Sequence, residues 1–175
     1  MRRIAIVGPG GAGKSTLARR LGERLGLPVV HLDAEHWRPG WVETPADEWE
    51  RKVRALAAGE RWIIDGNYGG TMEIRMAAAD TIVFLDFPRL TCLWRVLRRQ
   101  LRYHGRSRPD MTEGCPERIT LQFVRWIWEY PRTRRPRVLA HMRIAGAHAR
   151  PIILHSPREV EDFVATLPAS AETTG

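Results

Sequence analysis

The sequence predicts an α/β domain built on a parallel sheet, and three observations carry that prediction. Short β-rich runs alternate with helical runs along nearly all of the 175 residues. A glycine-rich segment, Gly8 to Ser15, falls directly between the first strand and the first helix. Gly8, Asp33, Asp65 and Ser156 all sit at the C-terminal ends of strand-like runs, the edge where a parallel sheet with right-handed crossovers gathers its ligands.

Each element has its own signal. Arg3 to Val7 is a β-rich run ending in glycines, and Lys14 to Leu25 carries Leu17, Leu21 and Leu25 at helical spacing. Gly26-Leu27-Pro28 stops that helix, and Val29 to Asp33 reads as a second strand. Thr44-Pro45-Ala46-Asp47 has the pattern of a capping box with proline at the first helical position, opening a helix that places Trp49, Val53 and Leu56 on one face. Trp62 to Asp65 is a third strand leading into Gly66-Asn67-Tyr68, and Thr81 to Phe87 is a fourth, apolar enough to be covered on both faces. Helices are expected after Pro88 and from Cys115-Pro116. Pro151 to Leu154 is the last strand, and Ser156-Pro157-Arg158-Glu159 caps the final helix.

Composition narrows the class. A chain 43% hydrophobic and 27% charged, without low-complexity blocks, is expected to fold over residues 1–168 as one domain, with 169–175 a tail. The apolar run Ile4 to Val7 is too short for a signal peptide and nothing approaches a membrane span, so a cytoplasmic location with no membrane partner is expected. Cys92 and Cys115 lack companions at zinc or disulfide spacing and read as idle thiols. The formal charge is +8, and residues 89 to 137 hold thirteen arginines against four acids, so the excess belongs to one region and points to an anionic ligand.

The segment Gly8 to Ser15 satisfies G-x-x-x-x-G-K-[ST]. In that pattern glycines turn backbone N–H groups inward around phosphates, and the helix N-terminus adds the positive end of its dipole. Gly8, Gly10, Gly11, Ala12, Gly13, Lys14, Ser15 and Thr16 are therefore the candidate nucleotide-binding residues. Lys14 reaches the β and γ phosphates and Ser15 ligates Mg²⁺. The same stretch satisfies Gly-x-Gly-x-x-Gly, with Asp33 twenty residues beyond Gly13, as a dinucleotide site would. Lys14-Ser15, the lack of room for a second catalytic domain and the arginine block favour the phosphate loop.

Phosphoryl transfer needs a carboxylate beside that loop to hold Mg²⁺ or take the nucleophile's proton. Asp33 is the first candidate, as a catalytic and metal-linked residue, and Asp65 the second. Between them, Trp37 and Trp41 flank Arg38 in a turn-rich segment suited to an acceptor: an aromatic ring to stack on, a guanidinium to clamp an anion, with Asn67 nearby in sequence pattern. Asp33, Trp37, Arg38, Asp65 and Asn67 form the candidate acceptor set. His31 and His36 lack further ligands and read as solvated loop residues.

From Leu90 to Arg102, Leu90, Leu93, Trp94, Leu97 and Leu101 form a stripe expected to pack on the core, while Arg95, Arg98, Arg99 and Arg102 form a second stripe facing anions. Residues 103 to 116 then break the helix with two glycines and two prolines and present Arg106 and Arg108 on what reads as a mobile lid. Arg98, Arg102, Arg106 and Arg108 are the candidate phosphate-binding lid residues, Arg106 the catalytic one. The next helix carries Ile119, Phe123, Trp126, Ile127 and Tyr130 on one face and Leu121, Val124 and Trp128 on another, so a monomer and a homodimer both remain open. Arg132, Arg134, Arg135 and Arg137 follow as a basic run that could grip phosphates or nucleic acid.

With these residues placed, the chain resembles the adenylate-kinase-like P-loop kinases, and within them the bacterial DNA topology-modulation proteins. The resemblance runs from about Arg3 to Val164. It rests on Gly8 to Thr16, His31-Leu-Asp33, Trp37 with Trp41-Val-Glu-Thr-Pro, Trp62-Ile-Ile-Asp-Gly-Asn-Tyr, Asp80 to Arg89, and Arg106 to Glu117. It implies a three-layer P-loop NTPase fold of the nucleoside-monophosphate-kinase kind, with a five-stranded parallel sheet and a helical lid. It also implies ATP as phosphoryl donor and Mg²⁺ as its ion. At the third strand Asp65-Gly66-Asn67-Tyr68 stands where adenylate kinase has Asp-Gly-Phe-Pro-Arg, so the resemblance leaves the acceptor open. Two functions follow: a kinase acting on a small acceptor such as a nucleoside, nucleotide or other hydroxyl-bearing metabolite, or a nucleic-acid-associated NTPase using the basic region 89–137.

Overall fold

The computed structural model describes residues 1–102, 112–116 and 119–168. Five strands form one sheet, all parallel: β1 (Arg3–Val7), β2 (Val29–His31), β5 (Trp62–Asp65), β6 (Thr81–Leu85) and β7 (Arg150–Leu154), in spatial order β2-β5-β1-β6-β7. A two-residue antiparallel pair, β3 (Trp37–Arg38) and β4 (Val42–Glu43), stands apart from it. The helices are α1 (Lys14–Leu25), α2 (Leu32–His36), α3 (Ala46–Ala57), α4 (Met72–Ala78), α5 (Arg89–Arg102), α6 (Leu121–Thr133), α7 (Arg135–Ile144) and α8 (Pro157–Ala165).

The central strand β1 shows why the sheet is covered twice. Its alternating side chains separate two cores: Ile4 and Ile6 join Leu17, Leu21, Val96 and Val164 from α1, α5 and α8, while Ala5 and Val7 join Trp49, Met76, Val138 and Met142 from α3, α4 and α7. With polar backbone committed to neighbours on both sides and apolar side chains on both faces, such a strand must be interior. Three layers result, and the C-terminal strand ends remain open above them.

Several local expectations are corrected. The second strand ends at His31, and Asp33 lies in the first turn of α2; the fourth ends at Leu85 rather than Phe87. Thr44 caps no helix: its hydroxyl donates to the His36 carbonyl (2.6 Å), closing the β3–β4 turn, and α3 begins after Pro45 without a side-chain cap. Cys115-Pro116 opens no helix; α6 starts at Leu121, where Thr120 accepts from the Phe123 N–H (3.1 Å). Ser156 does cap α8, accepting from the Glu159 N–H while Glu159 reaches back to the His155 N–H.

The largest correction concerns α5. Its buried residues are Cys92 and Val96, whereas Leu90, Trp94, Leu97 and Leu101 are exposed. The reason lies in how closely the helix approaches the glycine loop. A Cβ on Gly11, whose φ is +82°, would strike the Cys92 carbonyl oxygen, so only small side chains fit between them. Of the expected stripe Leu93 packs on the core, and Leu90, Trp94, Leu97 and Leu101 are left outside. Among the described residues no helix is long and apolar enough to cross a membrane.

Candidate functional site

The loop after β1 is shaped by steric necessity. Gly8 has a φ of +147°, and a Cβ there would lie 2.6 Å from the Leu85 carbonyl oxygen, so the chain leaves the strand only with glycine at this position. Asn67, on the loop after β5, clamps the same residue: its Oδ1 accepts from the Gly8 N–H (3.1 Å) and its Nδ2 donates to the Gly8 carbonyl (2.6 Å). Arg95 donates to the Ala12 carbonyl (3.1 Å) with its guanidinium 5.2 Å from the Phe87 ring. Gly13 opens α1 in a left-handed conformation without a side-chain cap. The unsatisfied N–H groups of the first turn therefore face the cleft with Lys14, Ser15 and Thr16.

Lys14 donates to the Pro9 carbonyl (3.1 Å), folded back over its own loop. Burial lowers its pKa, and the nearby carboxylates of Asp33 and Asp65 only partly offset this. Both acids thus act on the lysine that the loop motif requires. Asp33 accepts from the Tyr68 hydroxyl (2.8 Å). Burial first, and then the Asp33 carboxylate, raise the Tyr68 pKa, so the phenol stays a donor. Asp65 is 3% exposed and its Oδ1 meets His31 Nδ1 at 3.1 Å, while its Oδ2 is buried without a hydrogen-bond partner.

An orphaned carboxylate oxygen in a cleft beside a P-loop serine fits Mg²⁺, an ion held through one or two carboxylates, waters and substrate phosphates rather than by an all-protein cage. Among the described residues no group of three or more His, Cys, Asp or Glu suited to a metal occurs.

The acceptor side is built from α2 and the β3–β4 turn. Trp37 and Trp41 line the cleft, 5.3 Å apart and edge to face, and Trp41 adopts a φ of +63°. His36 is no solvated residue. It packs against Trp37, Trp49 and Tyr68 at ring separations of 4.6–5.2 Å, and burial lowers its pKa. Arg38 turns away from the cleft and pairs with Glu48 (2.7 Å). Of the expected acceptor set the cleft therefore gathers Asp33, Trp37, Asp65 and Asn67, with the Asn67 amide spent on Gly8.

Residues 112–116 rest on this wall: the Thr112 hydroxyl donates toward the carbonyls of Ala34 and Trp37 (2.8 and 2.6 Å), and Gly40 N–H donates to the Gly114 carbonyl (3.0 Å). Arg98, Arg99 and Arg102 of α5 and Arg134 and Arg137 further along line the cleft, whose volume is about 1570 Å³. Arg106 and Arg108 lie outside the described residues, as does most of the expected lid. Arg135 is committed elsewhere, to Asp86 (2.8 Å). The cysteines are buried free thiols, and burial pushes Cys92 up to about 11.

Sequence reasoning missed Tyr68 and Arg75. Arg75 is fully buried and donates to the carbonyls of Gly66 (3.0 Å) and Asn67 (2.6 Å), holding the loop that carries both Asn67 and Tyr68. Burial, only partly offset by Asp65, brings its pKa down to about 10. An arginine within a helical pattern reads as surface, so no local signal marked it.

Fold and loop together define the class: an α/β P-loop protein of the nucleoside-monophosphate-kinase-like kind. The solved structure of shikimate kinase from Acinetobacter baumannii in complex with shikimate superposes with a TM-score of 0.59, covering 94% of this chain and 89% of that one at 19% identity. In sequence the chain is 29% identical over 136 residues to shikimate kinase 1 of Yersinia enterocolitica, covering 69% of this chain and 75% of the relative. It is 32% identical to shikimate kinase of Paramagnetospirillum magneticum, covering 67% and 65%. To a putative adenylate kinase of Pyrococcus furiosus it is 33% identical, covering 55% and 54%. No protein-family model matches. These relatives support a P-loop kinase.

Proposed function

We propose that this chain is an ATP-dependent phosphotransferase that moves the γ-phosphoryl group of ATP to a hydroxyl of a small acceptor, working in the cytoplasm as one kinase domain over residues 1–168. The observation that carries the reading is the gathering of the phosphate-loop residues, Lys14 among them, with two carboxylates, Asp33 and Asp65, in one arginine-lined cleft. Nucleoside and nucleotide acceptors are the favoured class, seated against Trp37 and Trp41. The resemblance to topology-modulation proteins belongs to this proposal and names a cellular role without a reaction.

Each residue has a part. The glycine loop and the α1 N-terminus bind the β and γ phosphates, and Lys14 swings from Pro9 to the phosphate oxygens. Ser15 and the unpartnered oxygen of Asp65 would hold Mg²⁺, in the place expected of Asp33, whose carboxylate is engaged by Tyr68; the ion would supply charge to neutralise the phosphates. Asp33, oriented by Tyr68, takes the proton of the acceptor hydroxyl as its oxygen bonds to the γ phosphorus. The bond to the β–γ bridging oxygen breaks, and ADP leaves. Arg98, Arg102 and Arg134 offset the charge spread over the transferred group. The rival reading, a nucleic-acid-associated NTPase, would draw on exposed arginines outside the cleft such as Arg125 and Arg132, whereas Arg95, Arg98, Arg99, Arg102, Arg134 and Arg137 line the cleft, where a transferred phosphoryl group would lie.

Incubation with γ-labelled ATP and a panel of nucleosides, nucleotides, shikimate and amino sugars tests the proposal. Label transfer to at least one compound is expected. Lys14→Ala should lower that transfer by about 10³-fold or more while leaving the circular dichroism spectrum and melting temperature unchanged. No transfer to any compound, or unchanged turnover in the variant, would overturn it.

A further inference from the structure

The exposed face of α5 has no role in the proposed chemistry. Leu90, Trp94, Leu97 and Leu101 recur at intervals of four, three and four residues, the spacing of a coiled-coil seam. All four lie between 49% and 77% exposed. The opposite face is already committed, with Cys92 and Val96 in the core and Arg95 on the glycine loop. Among the described residues, none packs over the four side chains of the seam.

The adjoining helix extends the patch. α6 packs beside α5, Leu121 and Trp128 are both exposed, and the Arg89 guanidinium lies 3.9 Å over the Trp128 ring. Four of the six, Leu90, Trp94, Leu101 and Leu121, are more than 60% exposed, and six large apolar side chains left in this state approach the roughly 800 Å² that one partner contributes to a standard-size interface.

We infer that α5, flanked by α6, is the contact surface of a homodimer, each seam packing on the same seam of a second copy. Three observations select a second copy over another occupant. The heptad spacing is self-complementary, because a seam residue of one helix fits the holes of an identical helix. The area matches an isologous contact. The four seam residues carry no charge, and the cations beside them lie at its margins, Arg89 over the Trp128 ring and Arg98 and Arg102 toward the cleft, so two copies meet without opposed cations along the seam. The helix thus has two tasks, its arginine face turned to the cleft and its leucine face to the partner.

Analytical ultracentrifugation of the full chain over about 1–200 µM tests this. A monomer–dimer equilibrium is expected, with dimer dominant at the upper end. Trp94→Glu and Leu97→Glu, both at exposed positions that leave the core intact, should each weaken dimerisation at least tenfold without changing the melting temperature at high dilution. Ile144→Glu, equally exposed but on α7, should leave the dimer unchanged. A monomer at every concentration would overturn the inference. So would a dimer indifferent to both seam variants, or a monomer whose Trp94 face instead binds anionic lipid vesicles.

Discussion

At the scale of single residues, the cleft works through pairs in which one side chain fixes another. Tyr68 donates to Asp33 at 2.8 Å and is kept protonated by burial and by that same carboxylate. A hydrogen bond to a charged group contributes about 1.5–3 kcal/mol, so its loss should be felt in the step where Asp33 takes a proton. Tyr68→Phe is expected to lower kcat by about tenfold or more with little change in the KM for ATP. If the KM for ATP rises and kcat holds, Tyr68 is serving the nucleotide loop instead. His31 bears on Asp65 in a similar way, leaving one oxygen partnered and the other free.

At the scale of elements, the sheet is pinned where β1 begins. Asp80, just before β6, accepts from the backbone N–H groups of Arg2 (2.7 Å) and Arg3 (2.9 Å) and from the Thr81 hydroxyl (2.7 Å). Burial pushes its pKa up, but the Thr81 hydroxyl and the two backbone donors outweigh that and hold it below its ordinary 3.8. The unfolded chain therefore binds this proton more readily than the folded one. The stabilisation is complete above the ordinary value and is lost as pH falls through the lower folded value. Asp80→Ala should cost about 1–2 kcal/mol at neutral pH, partial exposure considered, and the difference from the parent chain should vanish in urea titrations carried into that acid range. A difference that persists at low pH would mean that packing, not the carboxylate, was lost. The geometry of α5 belongs to this scale too. Its amphipathic pattern was plain, yet the helix turned its small residues inward because the glycine loop lies within a methyl group of its backbone.

At the scale of the molecule, the cleft is assembled across the sheet. Arg75, on α4 in one core, holds the Gly66 and Asn67 carbonyls, and Asn67 in turn clamps Gly8 at the mouth of the nucleotide loop. Arg75→Met would leave those two carbonyls without their buried donor. We expect a loss of about 2–4 kcal/mol in unfolding free energy and a rise in the KM for ATP larger than the fall in kcat, since the loop loosens while the acids stay. Arg75→Lys should recover part of the stability and little of the geometry, because an ammonium cannot bridge two carbonyls as a planar guanidinium does. Equal loss of kcat and unchanged KM would separate Arg75 from the loop.

Local sequence was enough for the strand–loop–helix of the phosphate site, the succession of the five sheet strands, the capping of α8 and the strand-end placement of Asp65, but not for α2, the β3–β4 pair, α4 or α7. The former depend on residues a few positions apart, where sterics and local hydrogen bonds decide. Long-range packing set the rest: Asn67 serves Gly8 rather than an acceptor, Arg38 pairs with Glu48 outside the cleft, Tyr68 holds Asp33, and α5 buries Cys92 and Val96 while Leu90, Leu97 and Leu101 stay exposed. Several of those contacts join residues dozens of positions apart. They depend on how closely two backbones approach, which a periodic pattern along one helix does not encode.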